Sequence, residues 1–242
     1  MITVLDISHW QGPSIDFAKM KAAGGQAVIF KATQGRYYND SVFKNLWGQA
    51  AGLIRGAYHY LDWTADADRQ AEHFCNQIAG VHLDFPPIVD FEHRSTTVTQ
   101  RTATSELWTF VKYVEDKTGR KPMIYTGPDY WKLYGSTASV WTQYPLWIAN
   151  YGVTSPSIPA PWTKYSLWQF TGVGEGLAYG VSSKGIDINY YPGTLAELRT
   201  WCGIKDDPDE TTWVSDWTTD PTDQMKLTRL WDAHPELHRG TP

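Results

Sequence analysis

Short apolar runs recur along the chain at a regular spacing: ITVLDIS (2–8), QAVIFKAT (26–33), LIRGAYHYL (53–61) and PPIVDFE (86–92), then PMIYTG (122–127), YPLWIANY (144–151), YSLWQFT (165–171) and GIDINYY (185–191). Each is rich in β-branched or aromatic residues and is bounded by Gly, Pro or polar turns, the pattern of short buried strands. Amphipathic stretches with helical spacing lie between the first five runs. They are DFAKMKAAG ending on Gly24, DSVFKNLWGQAAG, DADRQAEHFCNQIAG, and the long TVTQRTATSELWTFVKYVEDKTG closing on Gly119. Beyond the fifth run the connections are rich in Pro, Ser and Gly and read as loops. Strands alternating with helices predict an α/β fold with a parallel sheet and right-handed crossovers. Eight such strands close most naturally into an irregular TIM-like barrel, with several helices missing from its second half. A doubly wound open sheet is the alternative topology.

The pattern changes near the end. KDDPDETT (205–212) reads as a linker, and in the residues that follow, Asp220 before Pro221 starts a short helix with Met225, Leu227, Leu230 and Trp231 on its apolar side. The expected organisation is a barrel over 1–204 and an acidic linker with a helical extension over 205–242, the extension being too short for a core of its own.

Charge follows the same division. Residues 205–242 carry four Lys and Arg against nine Asp and Glu, which accounts for the whole net charge of −5 and leaves a neutral main body. Without a basic stripe, nucleic acid is not an expected partner. The two cysteines, Cys75 and Cys202, are too few for a disulfide framework and lack metal-ligand spacing. They read as two free thiols unless the fold brings them together. The first residues enter an apolar strand without a basic and hydrophobic leader, and no run is long enough to span a membrane. The expectation is a protein made in the cytoplasm that acts elsewhere after release, or one secreted by a leader not present here. Thirteen Trp and fourteen Tyr suit either ordinary packing or a cleft whose rings stack on sugars.

In a barrel, function collects at the C-terminal ends of the strands. There the sequence places Asp6, Ser8 and Gln11, then Lys31 and Gln34, then Tyr58, His59 and Tyr60, and then Asp90 and Glu92. The series continues with Tyr125, with Trp147 and Asn150, with Gln169, and with Asp187 and Asn189. Four carboxylates thus come from three strands. Asp90 and Glu92 are one residue apart, so on a strand both side chains point the same way and Phe91 the other. Two acids held together cannot both ionise freely, so one keeps a proton near neutral pH. Glycosidic cleavage needs such a pair, a proton donor beside a charge that answers the cationic sugar. The competing reading is a solvated pair at the start of a loop. The seven His are scattered and offer no metal site, so neither a metal nor another cofactor is expected.

DISHWQG, FKATQG, GAYHY, VDFE, MIYTG, LWIANY, LWQF and DINYY occur in an order that resembles glycoside hydrolase family 25, the lysozymes or N-acetylmuramidases of bacteria, fungi and phage endolysins. The likeness runs from residue 1 to about 200. It implies an irregular barrel of eight strands and about five helices. It also implies a peptidoglycan substrate, cut at the β-1,4 bond between N-acetylmuramic acid and N-acetylglucosamine. Carried over by motif, Glu92 is the general acid and then base. Asp90 supports the substrate's 2-acetamido group, which attacks the anomeric carbon itself. Asp6 and Asp187 hold the substrate and tune the pair, while Tyr58, Tyr125, Trp147 and Gln169 line the sugar site. One departure stands out: where the family usually has an acid after KAT, this chain has Gln34.

Two rivals share parts of this pattern. A chitinase-type barrel also ends a strand in D-x-E but wants a further Asp where this chain has Ile88. A catalytically silent glycan-binding barrel has no use for a closely held acid pair. Oligomeric state is left open by the sequence.

Overall fold

The computed structural model describes residues 2–205. All of the expected extension 205–242 beyond Lys205 therefore lies outside the described residues. Nine strands form one sheet: β1 Ile2–Ile7, β2 Gly25–Gln34, the two-residue β3 Tyr38–Asn39, β4 Ile54–Tyr60, β5 Ile88–Asp90, β6 Met123–Thr126, β7 Leu146–Ala149, β8 Leu167–Glu175 and β9 Gly185–Tyr191. Their order is β1-β9-β8-β7-β6-β5-β4-β2-β3, and pairing of β1 with β2 closes eight of them into a barrel, with β3 hanging from the end of β2. Each predicted strand appears within a few residues of its expected place.

The barrel is mixed, whereas the alternation of strands and helices predicts an all-parallel one. β1, β2, β4, β5, β6, β7 and β8 run parallel, while β9 is antiparallel to both β8 and β1. The reason is the connection. A parallel return needs a crossover of a dozen or more residues, usually a helix. Residues 176–184 provide only a 3-10 turn, Gly176–Tyr179, so β9 comes back beside β8 as a hairpin.

Among the described residues six helices surround the strands: α1 Phe17–Ala22, α2 Ser41–Leu46, α3 Ala67–Ile78, α4 Gln100–Thr118, α5 Pro128–Tyr134 and α6 Leu195–Trp201. Local chemistry sets several ends. Asp16, Asp40, Thr99 and Thr194 accept backbone N–H bonds at the starts of α1, α2, α4 and α6, and Gly119 ends α4 at φ 69°. Helix α5 lies in a connection that the sequence pattern treats as a loop, and α6 follows the last predicted strand, where the pattern marks no helix. Both are two turns long, too short to display a periodic apolar face. Pro128 at the first turn of α5 and the Thr194/Glu197 capping box of α6 are the signals that mark them.

Two apolar layers result. Outward strand residues such as Leu5, Phe30, Val89 and Ile124 pack under α1–α5, joined by Phe74, Phe110 and Trp131. Inward residues at the lower ends of the strands, Val4, Ile29, Ile54, Ile88 and Met123, meet Leu198 and Cys202, so α6 seals that end. Phe85 adds an edge-on contact to Trp201 at 5.8 Å between ring centroids. Cys75 and Cys202 are free thiols, the first partly buried and the second in this inner layer.

Candidate active site

With its lower half filled by apolar side chains, the barrel leaves polar inward residues only at the upper mouth. Strand alternation selects them: Val4 then Asp6 on β1, Tyr58 then Tyr60 on β4, Asp187 then Asn189 on β9. A cleft of about 220 Å³ opens there, lined by Asp6, Tyr58, Asp90, Glu92, Tyr125, Trp147, Tyr151, Gln169 and Asp187. Every site residue expected from the sequence is in this set.

β5 stops at Asp90, shorter than the predicted run through Glu92. Its pairing persists for one more step, because Phe91 N–H donates to Tyr125 O at 2.9 Å and Leu61 N–H donates to Asp90 O at 3.0 Å. Phe91 is wholly buried on the opposite side, edge-on to Tyr130 and Trp131 at 5.2 and 5.9 Å. That anchor turns Asp90 and Glu92 together into the cleft.

Asp187 reaches the mouth by a different route. It lies near the start of β9, which in a parallel strand is the lower end of the barrel. Because β9 is reversed, its start is at the mouth, and Asp187 is the direct cross-strand partner of Asp6.

A fixed hydrogen-bond frame holds this pair. Gln169 Nε2 and Asn189 Nδ2 donate to Asp6 Oδ2 at 2.9 and 2.8 Å. Asn189 Nδ2 also reaches Val4 O at 3.0 Å, and its Oδ1 accepts from Trp147 Nε1 at 2.7 Å. Gln169 Oε1 in turn accepts from Tyr125 OH at 2.8 Å and from Tyr151 OH. The frame fixes the ring orientations of Tyr125, Trp147 and Tyr151, and Tyr125 packs edge-on to Trp147 at 4.7 Å between ring centroids. Asn189 stands among the strand-end residues but is absent from the expected site, and Tyr151 is missed altogether. The period of two that selects Trp147 also selects 149 and 151, and that was the available signal.

Burial raises all four acids, and repulsion from neighbouring carboxylates adds to the rise of Asp90, Glu92 and Asp187. Asp6 moves from 3.8 to about 6, burial outweighing its hydrogen bonds from Asn189 and Gln169. Asp187 rises to about 9 through burial and the neighbouring Asp6 charge. Asp90 goes well above its ordinary value through burial and the Glu92 charge, and Glu92 rises through burial and Asp6. The cleft therefore retains protons at neutral pH. Asp90 is 7% exposed and its Oδ1 has no hydrogen-bond partner among the described residues.

Lys31 and, at Glu92, Arg94 set positive charge against the acids. Lys31 is buried, its Nζ donates to Gln34 Oε1 at 2.6 Å and sits 4.9 Å from the Tyr60 ring centroid, and its charge opposes the rise of Asp90 and Glu92. His93 faces away from the pair, with Nε2 3.6 Å from Asp62 Oδ1. Among the described residues no group of His, Cys, Asp and Glu has a geometry that could hold a metal ion.

Sequence and structural comparison agree on the lineage. The family Glycosyl hydrolases family 25 matches residues 5–177. Lysozyme M1 of Streptomyces globisporus is 32% identical over 206 residues, covering 80% of this chain and 69% of the relative. The crystal structure of the bacterial lysozyme from Streptomyces coelicolor superposes with a TM-score of 0.76 at 27% identity, over 84% of this chain and 98% of that one. The CTP1L endolysin gives a TM-score of 0.68 at 31% identity, over 86% and 71%.

Proposed function

The chain belongs to glycosyl hydrolases family 25, and on that premise we propose that its cleft is the active centre of a peptidoglycan muramidase in which Glu92 and Asp90 carry the chemistry. Glu92, its pKa raised, donates a proton to the glycosidic oxygen linking N-acetylmuramic acid to N-acetylglucosamine. As that bond breaks, the carbonyl oxygen of the muramic residue's own 2-acetamido group bonds to the anomeric carbon. Asp90 accepts the acetamido N–H and answers the positive charge that develops on the resulting ring. The ionised Glu92 then takes a proton from water, whose oxygen attacks the anomeric carbon and releases the acetamido group. Because the substrate supplies the nucleophile, the scheme departs from the two-carboxylate pattern while keeping the acid–base role.

The observation that carries this reading is the unpartnered Asp90 Oδ1, a buried oxygen beside a second carboxyl, Glu92, in a pair whose proton affinities are both raised by burial and by neighbouring carboxylates. A buried acceptor without a donor is costly, and an amide N–H at that oxygen relieves the cost. Asp6 and Asp187 share a proton and hold the sugar's polar edge. Tyr58, Tyr125, Trp147 and Gln169 form its walls, with Tyr151 added. Ile88, where a chitinase-type motif wants an acid, is buried in the inner apolar layer. A binding-only barrel is not favoured, since binding alone gains nothing from four acids with raised pKa values.

The neutral main body supports a partner other than nucleic acid, and no helix among the described residues is long and apolar enough to cross a membrane. Together with the likeness to an endolysin, this supports action on the cell wall after release from the cell that makes it. The test is to digest purified peptidoglycan, reduce the new ends with borohydride and identify them by mass spectrometry. Muramitol ends from the wild type and none from Glu92→Gln are expected. Glucosaminitol ends, or muramitol ends from both proteins, overturn the assignment.

A further inference from the structure

Three large aromatic side chains stand exposed on neighbouring loops at the barrel mouth: Trp10 at 75%, Tyr37 at 79% and Tyr38 at 42% exposure. Trp10 belongs to the 3-10 turn His9–Gln11 that follows β1, and Tyr37 and Tyr38 follow β2, its parallel neighbour. Single exposed aromatics are ordinary. These differ in that the loops carrying them are tied down, in part by the buried Asp40.

His9 sits between two of them, 4.6 Å from the Trp10 ring and 5.8 Å from the Tyr38 ring, centroid to centroid. Its Nδ1 is 2.8 Å from Oδ2 of the buried Asp40 and 3.1 Å from Tyr38 OH, and its backbone N–H donates to the same Asp40 oxygen at 3.2 Å. Asp40 is fixed in turn by capping α2 through Val42 N at 3.1 Å. The Tyr37 segment is pinned on its far side. His73 on α3 contacts Gly35 O at 3.1 Å and Asn39 Oδ1 at 2.8 Å, Gly35 N–H donates to Tyr60 O at 3.2 Å, and the Arg36 guanidinium lies 5.3 Å from the Tyr37 ring centroid.

The surface is continuous with the acid cleft. Lys31 Nζ lies 6.0 Å from the Tyr38 ring centroid and 4.9 Å from that of Tyr60, and Tyr60 is the direct strand partner of Asp90. We propose that Trp10, Tyr37 and Tyr38 form a preformed platform that binds the glycan strand outside the cleft, stacking on the apolar faces of sugar rings beyond those being cut. Flat rings held in advance lose little freedom on binding, which is what makes exposed aromatics useful for a repetitive polymer. Continuity with the acid cleft identifies the occupant as more of the same substrate, and the pairing of ring faces with a polar, tethered edge suits a sugar polymer.

This inference rests on the muramidase reading, and its test separates the two. Peptide-free glycan strands of two lengths, a tetrasaccharide and long polymer, are digested by wild type, Trp10→Ala, Trp10→Phe and Trp10→Ala/Tyr37→Ala, and kcat/KM is measured on each. The wild type should favour the long strand. Trp10→Ala should reduce the long-to-short ratio about tenfold, the size of one lost ring stack. Trp10→Phe should restore most of it, and the double variant should reduce it further. An unchanged ratio in both alanine variants overturns the platform. So does a loss that appears only when the same comparison is repeated on strands carrying stem peptides, which would make it a peptide surface. A wild type that cuts neither strand overturns the muramidase reading instead.

Discussion

Replacing Asp6 with Asn should make the protein more stable and less active, and the stability gain should depend on pH in a defined way. In the folded protein the Asp6 carboxyl ionises at about 6 against an ordinary 3.8. Below the lower value it is protonated whether folded or unfolded, and it contributes no pH dependence. Between the two values the unfolded chain has released the proton while the folded protein still holds it. Stability therefore falls as pH rises through that window and levels off above it. A difference of about two units corresponds to about 3 kcal/mol, since each unit is worth about 1.4 kcal/mol.

An asparagine at this position has no proton to lose. Its Oδ1 can accept the same two bonds that Gln169 and Asn189 give Asp6 Oδ2 at 2.9 and 2.8 Å, and its Nδ2 faces Asp187. Removing the Asp6 charge also removes one cause of the rise at Asp187, which adds to the gain at higher pH. Urea unfolding of wild type and Asp6→Asn, followed at intervals from pH 4 to 8 with the urea dependence checked for constancy, measures the difference directly. The variant's advantage should grow by about 2 kcal/mol between pH 4 and pH 6, about 4–8 °C in Tm for a chain of this size. Parallel loss of stability in the two proteins across that window would falsify the claim that folding suppresses the Asp6 charge. The cost is functional: the cluster exists at the expense of stability, so wall lysis should fall in the variant that folds better.

The remaining expectations concern the acid pair and its supports. Glu92→Gln should lower muropeptide turnover to below about a hundredth of wild type while leaving the thermal transition in place, because an amide cannot donate the proton. Gln34→Glu should place a carboxylate against Lys31, weaken the field that holds Asp90 and Glu92 down, and move both limbs of the pH–rate profile of kcat/KM to higher pH. An unmoved profile would show that the Lys31 charge does not reach the pair. Phe91→Ala should cost about 3–5 kcal/mol in urea unfolding by opening a cavity against Tyr130 and Trp131, and activity should fall even at temperatures where the variant stays folded. Deleting residues 205–242 should spare cleavage of small soluble muropeptides, and loss of that cleavage in a folded truncation would place the extension within the catalytic unit.

Much of the strand framework was legible because it is local. A buried strand at the barrel wall needs a short run of branched or aromatic residues, and each of the eight runs supplies one in nearly the right place. Helices α3 and α4 were legible for the same reason, being long enough to repeat an apolar face. Helices α5 and α6 were not, because two turns allow no repetition and the evidence for them is a single proline and a single capping box. Among the site residues, Tyr151 was hidden by the end of β7 at Ala149: its place in the cleft depends on alternation continuing past the last ladder bond. The role of Lys31 was hidden too, since its partner Gln34 lies three residues away on a strand, where spacing alone predicts opposite faces.

The case of Asp187 separates what a pattern can carry from what a topology must add. Reading every strand as parallel puts the catalytic mouth at the strand's last residues, yet Asp187 is the third residue of β9, at the wrong end for that rule. Both the strand series and the family motif put it with the site residues, although a strictly parallel strand would place it at the other end. The structure reconciles the two placements through one short connection. Because residues 176–184 cannot cross back to the lower rim, β9 reverses, and its first residues arrive where the other strands finish. The Asp6–Asp187 pair, with the proton it retains, is then a consequence of antiparallel register between β1 and β9. A helix inserted between β8 and β9 to restore a parallel strand would carry Asp187 to the sealed end of the barrel, so the irregularity of the fold and the four-acid cleft are one feature.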